Sequence, residues 1–92
     1  MNKMNTLENK AKKLGATNFG KSKNKTKKYF VVYDGKSISF GGKGYSDFTI
    51  HKDLGKRRAW WARHSKIKDK YGRRVINDKN SPSYWSARLL WT

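Results

Sequence analysis

The sequence contains no cysteine, a single proline and only six acidic residues among its 92. Without cysteine there are no disulfides, no thiolate metal sites or zinc fingers, and no cysteine nucleophile. The two histidines, His51 and His64, are too few for a histidine zinc site unless carboxylates help. No apolar run approaches the roughly 18 residues that a membrane span needs. The N-terminus lacks the uninterrupted apolar core of a signal peptide, so a non-secreted, intracellular product is the expectation. Hydrophobic residues make up 35% of the chain, which is low for a globule. Aromatics are not scarce, however, at four Trp, five Tyr and four Phe. Disordered basic proteins are usually poor in rings, so a small core built from a few large ones is expected.

Against the six acids stand 23 Lys plus Arg, for a net charge of +17. Such a surface repels itself and is more stable beside a polyanion. Nucleic acid is the commonest such partner, because neutralising phosphates releases condensed counterions. Acidic protein surfaces and anionic membranes compete with it, and composition does not choose among them.

The charge divides the chain in two. Residues 1–28 carry nine lysines against Glu8 alone, with Phe19 the one aromatic. Residues 29–92 carry the other 12 rings with 14 basic and five acidic residues. This predicts a lysine-rich arm over 1–28 and a small α+β domain over 29–92. In the arm, Thr6 is placed to cap a short helix with Leu7, Ala11 and Leu14 at helical spacing, and Gly15 to stop it. The stretch GKSKNKTKK is expected to be extended and solvated, either as a solubilising tail or as an arm that tracks phosphates.

Tyr29-Phe30-Val31-Val32-Tyr33 is a β-branched and aromatic run, and Asp34-Gly35 is a strong two-residue hairpin signal. A turn there pairs Tyr33 with Lys36, Val31 with Ile38 and Tyr29 with Phe40, and gathers Tyr29, Val31, Ile38 and Phe40 on a core face. Gly41-Gly42-Lys43-Gly44 reads as a loop and Phe48 to Ile50 as a short third strand. Asp53 is a candidate N-cap for a helix through Ser65, with Leu54, Trp61 and Ser65 on one stripe and Arg57, Trp60 and His64 on the next. Residues 66–80 are polar, with a turn at Tyr71-Gly72 and Val75-Ile76 as a strand-like pair. Ser81-Pro82 is a helix start, with a cap followed by proline at the first helical position. The helix it opens runs to the chain terminus and has almost no polar face. The architecture is thus a β-hairpin, a small antiparallel sheet, packed by two helices behind the basic arm. Tyr29, Phe40, Trp61, Trp85, Leu89 and Trp91 are its expected core.

Catalytic and metal chemistry find little support. Asp47 and Asp53 lie near His51, a pattern compatible with a mixed metal site or a nuclease-like centre, but more commonly with a histidine packed against tryptophan or bonded to backbone. GGKG lacks the spacing and the following Lys-Ser/Thr of a P-loop. No histidine stands near the hydroxyls of 81–86. No enzyme, cofactor, metal or small-molecule substrate is expected. Cations interleaved with rings are the better signal: Lys56, Arg57, Arg58, Arg63, Lys66 and Lys68 surround Trp60 and Trp61, and Lys70, Arg73 and Arg74 continue the cluster. Arginine forks suit phosphate oxygens and rings suit bases. The candidate polyanion-binding set is therefore Lys21, Lys23, Lys25, Lys27 and Lys28 of the arm with Lys56, Arg57, Arg58, Arg63, Lys66, Lys68, Arg73 and Arg74 of the domain. One or both tryptophans are expected in the core, with the charges outside.

The segments YFVVYDGKSISFG, GYSDFTIHKD, RRAWWARHSKIKDKYG and NDKNSPSYWSARLLW resemble a family of small basic proteins of large double-stranded DNA viruses. These are the phycodnavirus- and mimivirus-like groups, with similar sequences in some phages. The likeness runs from Tyr29 to Trp91, and KKLGATNFGKS extends it. It implies a viral origin, a place in the virion after a stay in the host cytoplasm or nucleus, and no assigned catalytic or ligand residue. The expected partner is then viral DNA (or RNA). The alternative is a minor capsid or cement protein whose cations meet acidic capsid-protein surfaces.

Overall fold

A computed structural model describes residues 3–92. The chain is an α+β protein with the order α1 (Lys3–Lys13), β1 (Asn18–Lys21), β2 (Lys27–Tyr33), β3 (Lys36–Gly42), α2 (Phe48–His51), α3 (Leu54–His64), a 3-10 turn (Val75–Asn77) and α4 (Pro82–Leu89). The hairpin has the register that a two-residue turn dictates, with Tyr33 opposite Lys36, Val31 opposite Ile38 and Tyr29 opposite Phe40. Asp34 and Gly35 take φ of 51° and 74°, the left-handed pair that a turn matching the strand twist demands. Val31, Ile38 and Phe40 of the expected core face are buried, and Tyr29 is half-buried.

Residues 3–28 are not an arm, and the expected arm's first two residues lie outside the described ones. Leu7 and Ala11, four apart on α1, are buried in the same core as Val31, Phe40, Trp85 and Leu89. Gly15, at φ +108°, turns the chain out of the helix, and β1 then pairs antiparallel with β2, with Phe19 opposite Val31. The sheet order is β1-β2-β3, and the expected boundary between 28 and 29 falls inside β2. A handful of apolar side chains is enough to fold a lysine-rich segment, because helical and strand periodicity turn the lysines to solvent and the apolar groups inward. Thr6 lies within α1 rather than at its start.

Phe48 to Ile50 is helix, not a third strand. The Asp47 carboxylate accepts the amide of Thr49 at 2.9 Å, and this local cap overrides the alternating pattern. Lys52, at φ 56°, ends α2, and Asp53 caps α3 by accepting the amides of Gly55 (2.9 Å) and Lys56 (3.1 Å). Likewise β3 continues through Gly41 and Gly42 rather than stopping in a loop. Gly41 has φ +80°, and a Cβ there would lie 2.8 Å from Leu90 Cδ1, so only glycine lets the end of α4 approach the strand this closely. Ser81 caps α4 and Pro82 opens it as expected, but the helix ends at Leu89 and leaves Trp91 outside it.

Phe40, Trp85 and Leu89 are fully buried, whereas Tyr29, Trp61 and Trp91 are half-buried. Trp60, not Trp61, is the enclosed member of its pair, in a second small cluster with Ile76 and Ala87. Val75-Ile76 forms a 3-10 turn rather than strand, with Ile76 facing inward. Among the described residues no helix is long and apolar enough to cross a membrane.

Candidate nucleic-acid interface

Helix α3 is attached to the body along one side only. Trp60 stacks on Trp91 (centroids 5.2 Å apart, planes 8° from parallel) and on His64 (4.1 Å, 14°). Trp61 Nε1 donates to the carbonyl of Trp91 at 2.6 Å, and the Arg57 guanidinium lies over the Phe48 ring at 4.7 Å. At about 100° per residue these four side chains share one sector. The opposite sector centres on Gly55, Ala59 and Ala62, flanked by Arg58 on one side and by Lys56 and Arg63 on the other. All six are exposed. Lys66 follows just beyond the helix and is also exposed. An acid, Asp53, sits at the N-terminus of α3. The amide of Lys56, and then that of Gly55, hold its carboxyl below the usual carboxylate range against the opposing effect of desolvation, and the Lys56 charge assists.

The remaining candidate cations divide. Lys21, Lys23 and Lys25 are exposed on β1 and the turn after it. That turn is not an extended tail. Asn24 Oδ1 accepts from the Thr26 amide (2.9 Å) and hydroxyl (2.8 Å), and Ser22 Oγ accepts from the Asn24 amide (3.0 Å). Lys28 does not face solvent as an arm residue would. Its ammonium donates to Asp47 Oδ2 at 2.7 Å, with Lys28 15% and Asp47 2% exposed, so its charge is neutralised inside the fold. Asp47 Oδ1 also receives the Thr49 hydroxyl. Burial, and then the Asp47 charge, push the nearby Tyr29 phenol up.

Lys68 and Arg74 are exposed and face each other across a β-bridge in the 66–80 segment. Arg73 donates to Asp69 at 3.1 Å, and its guanidinium and the Lys70 ammonium lie 5.2 and 5.1 Å from the ring centre of Tyr71. Desolvation opposes ionisation of Asp69, but the amides of Arg73 and Tyr71 and the Arg73 guanidinium outweigh it, so the carboxyl sits low. Arg73 is therefore partly committed to its own loop.

The histidines have structural partners. His64 Nδ1 lies 3.0 Å from the Trp60 carbonyl. His51 Nδ1 accepts from the Asp53 amide at 2.9 Å, which places the ring proton on Nε2, a buried atom without a hydrogen-bond partner beside the Trp91 ring. Among the described residues no three His, Asp or Glu side chains converge to hold a metal ion.

The linear pattern of the chain gives no sign of a cleft of about 470 Å³ beside α3. It is formed where the start of β2 and the end of β3 meet the loop before α2, the second half of α3, and α4 with the two residues after it. Lys27, Arg63 and His64 line it together with Tyr45, Trp60 and Trp91. The one local hint is an aromatic set among glycines: a Cβ on Gly42 would lie 2.8 Å from the Tyr45 ring.

Residues 17–64 match a family described as a family of unknown function, DUF5754. The chain belongs to the DUF5754 family. The DUF5754 match covers the three strands, α2 and α3, and begins one residue before β1, in accord with β1 being part of the fold. No curated protein and no solved structure matches the chain.

Proposed function

We propose that this DUF5754 protein binds duplex DNA without catalysis, laying the outward sector of α3 into a groove. The observation that carries the reading is the make-up of that sector. Gly55, Ala59 and Ala62 along its centre let a surface approach the helix backbone closely, while Arg58 on one flank and Lys56 and Arg63 on the other reach for the two phosphate rims. The DNA major groove, about 12 Å wide, admits an α-helix, whereas the deep, narrow groove of an RNA duplex does not. With Lys56, Arg58 and Arg63 directed to phosphates, only Gly55, Ala59 and Ala62 face the bases, so binding is expected to show little sequence preference. Lys21, Lys23 and Lys25 on the β1–β2 turn supply a second phosphate contact. The resemblance to proteins of large DNA viruses adds a place for this binding, on the genome within a virus particle.

Titration of a labelled duplex at increasing salt tests the reading. Affinity should fall steeply with salt. The paired change of Lys56→Ala and Arg58→Ala should weaken all sequences alike and lower the salt slope by about 1 for each phosphate no longer neutralised. The thermal midpoint of the variant should be unchanged, since both side chains are solvent-exposed. Affinity independent of salt would refute the proposal. So would protein that stays with the shell after the genome of a purified particle is digested away, which would instead favour a minor capsid role.

A further inference from the structure

The cleft beside α3 is not used by a helix lying in a groove, and its lining has a chemistry of its own. Three features coincide in it. First, it is cationic with no free acid. Lys27 and Arg63 both line it, and the carboxylate in its wall, Asp47, is already engaged by Lys28 and Thr49. Second, it has a ring at its mouth. Tyr45 is 77% exposed, although a side chain of that size usually buries its face, and its position over Gly42 holds it at the rim. Third, Ser83 and Ser86 of α4 and His64 of α3 add polar groups to the same lining. A cavity of about 470 Å³ is of the size that encloses a small ligand rather than a duplex.

Resting on the proposed binding of DNA, we infer that the cleft takes one unpaired nucleotide of a DNA strand, its phosphate against Lys27 and Arg63 and its base stacked on Tyr45. A phosphate beside two unpaired cations makes charge-assisted hydrogen bonds, and every base has a face to stack, so the site asks for an unpaired nucleotide rather than for a sequence. Within a closed duplex both faces of a base are covered by its neighbours, and Tyr45 has nothing to stack on. The protein would therefore favour duplexes that end in, or contain, a single-stranded step. Arg63 lies at the border of the two surfaces, exposed on α3 and also lining the cleft, so a strand leaving the groove is led past it.

The test compares a blunt duplex with the same duplex carrying a short 3′ thymidine overhang, with dTMP and inorganic phosphate as separate probes. One stacked base should favour the overhang by about tenfold or more. Tyr45→Ala should abolish that preference while leaving blunt-duplex affinity and the thermal midpoint unchanged, and Tyr45→Phe, which keeps the ring, should retain it. Equal binding of the two duplexes, or a preference that survives Tyr45→Ala, overturns the inference and leaves the groove-binding proposal intact. Saturable, Tyr45-dependent binding of dTMP with no gain from the overhang overturns it in favour of a free nucleotide. Binding of inorganic phosphate as tight as dTMP would show that the ring takes no part and would equally overturn it. Absence of binding to either duplex at low salt fails both readings at once.

Discussion

The region built from α1, the sheet and α4 and the region built from α3 and residues 66–80 are held by different means. In the first, aliphatic and aromatic side chains from five elements interlock around the fully enclosed Phe40 and Trp85, and the Trp85 indole also donates to the Lys79 carbonyl at 2.8 Å. In the second, one edge of α3 is fixed by stacked rings and by the Asp53 cap, and most of its circumference faces water. The difference explains how 92 residues tolerate a charge of +17. Cations on a helix attached by a narrow seam keep their hydration, so they repel one another weakly and stay unpaired, as the proposed binding of phosphates requires. The region that provides stability is the one whose lysines have been turned outward singly or, at Lys28, neutralised.

The largest effect should come from breaking the first region. Trp85→Ala removes a fully buried indole and should cost about 4 kcal/mol, enough to threaten the fold, in urea or thermal denaturation. Next comes Asp47→Asn, which leaves the Lys28 ammonium without its counter-charge and should cost about 3 kcal/mol. Trp60→Ala, in the smaller cluster, should cost less than either and weaken DNA binding by releasing α3. Equal losses for Trp60→Ala and Trp85→Ala would show that the two regions are one core. The midpoint shift of Asp47→Asn should exceed that of Trp60→Ala if the pair tying β2 to α2 is part of the main core. The smallest effect is that of acid on the second region. Asp53 and Asp69 both sit below the ordinary carboxylate range in the fold, so their ionised forms stabilise α3 and the 66–80 loop fully above that range. This contribution disappears as pH falls through their lowered values. Hydrogen exchange, corrected for the intrinsic rate and followed from neutral pH to about pH 2, below the ordinary carboxylate range, should show the α3 amides losing protection. Protection of α3 that holds through this range would show that its cap adds nothing.

The parts of this fold legible in the sequence are those fixed by hydrogen bonds between near neighbours. Asp34-Gly35 specifies the hairpin and its whole register, and Asp53 and Ser81-Pro82 mark where α3 and α4 begin. The same kind of local bond accounts for one departure from expectation. Phe48-Thr49-Ile50 alternates like a strand, but the Asp47 side chain captures the amide of Thr49 and starts a helix. The departure in the first 28 residues has another origin. Leu7, Ala11, Ala16 and Phe19 are thinly spread among lysines, and they are buried in one cluster with side chains far along the chain, on β2, β3 and α4. For the candidate site, the cationic flank of α3 is visible as a run of charge. The commitment of Lys28 to Asp47, 19 residues away, is not, because each neighbouring lysine has the same chemistry.

By itself, then, the sequence determined the sign and excess of the charge, the hairpin, the helix starts and the exclusion of thiol chemistry, since each follows from composition or from contacts within a few residues. Only the tertiary structure decided which cations stay free, which tryptophan is enclosed, that α1 and β1 belong to the core, and that Tyr45, Arg63 and Lys27 border one cleft. Those outcomes depend on which distant segments exclude water together, and burial is a property of the assembled surfaces, not of any one stretch of chain.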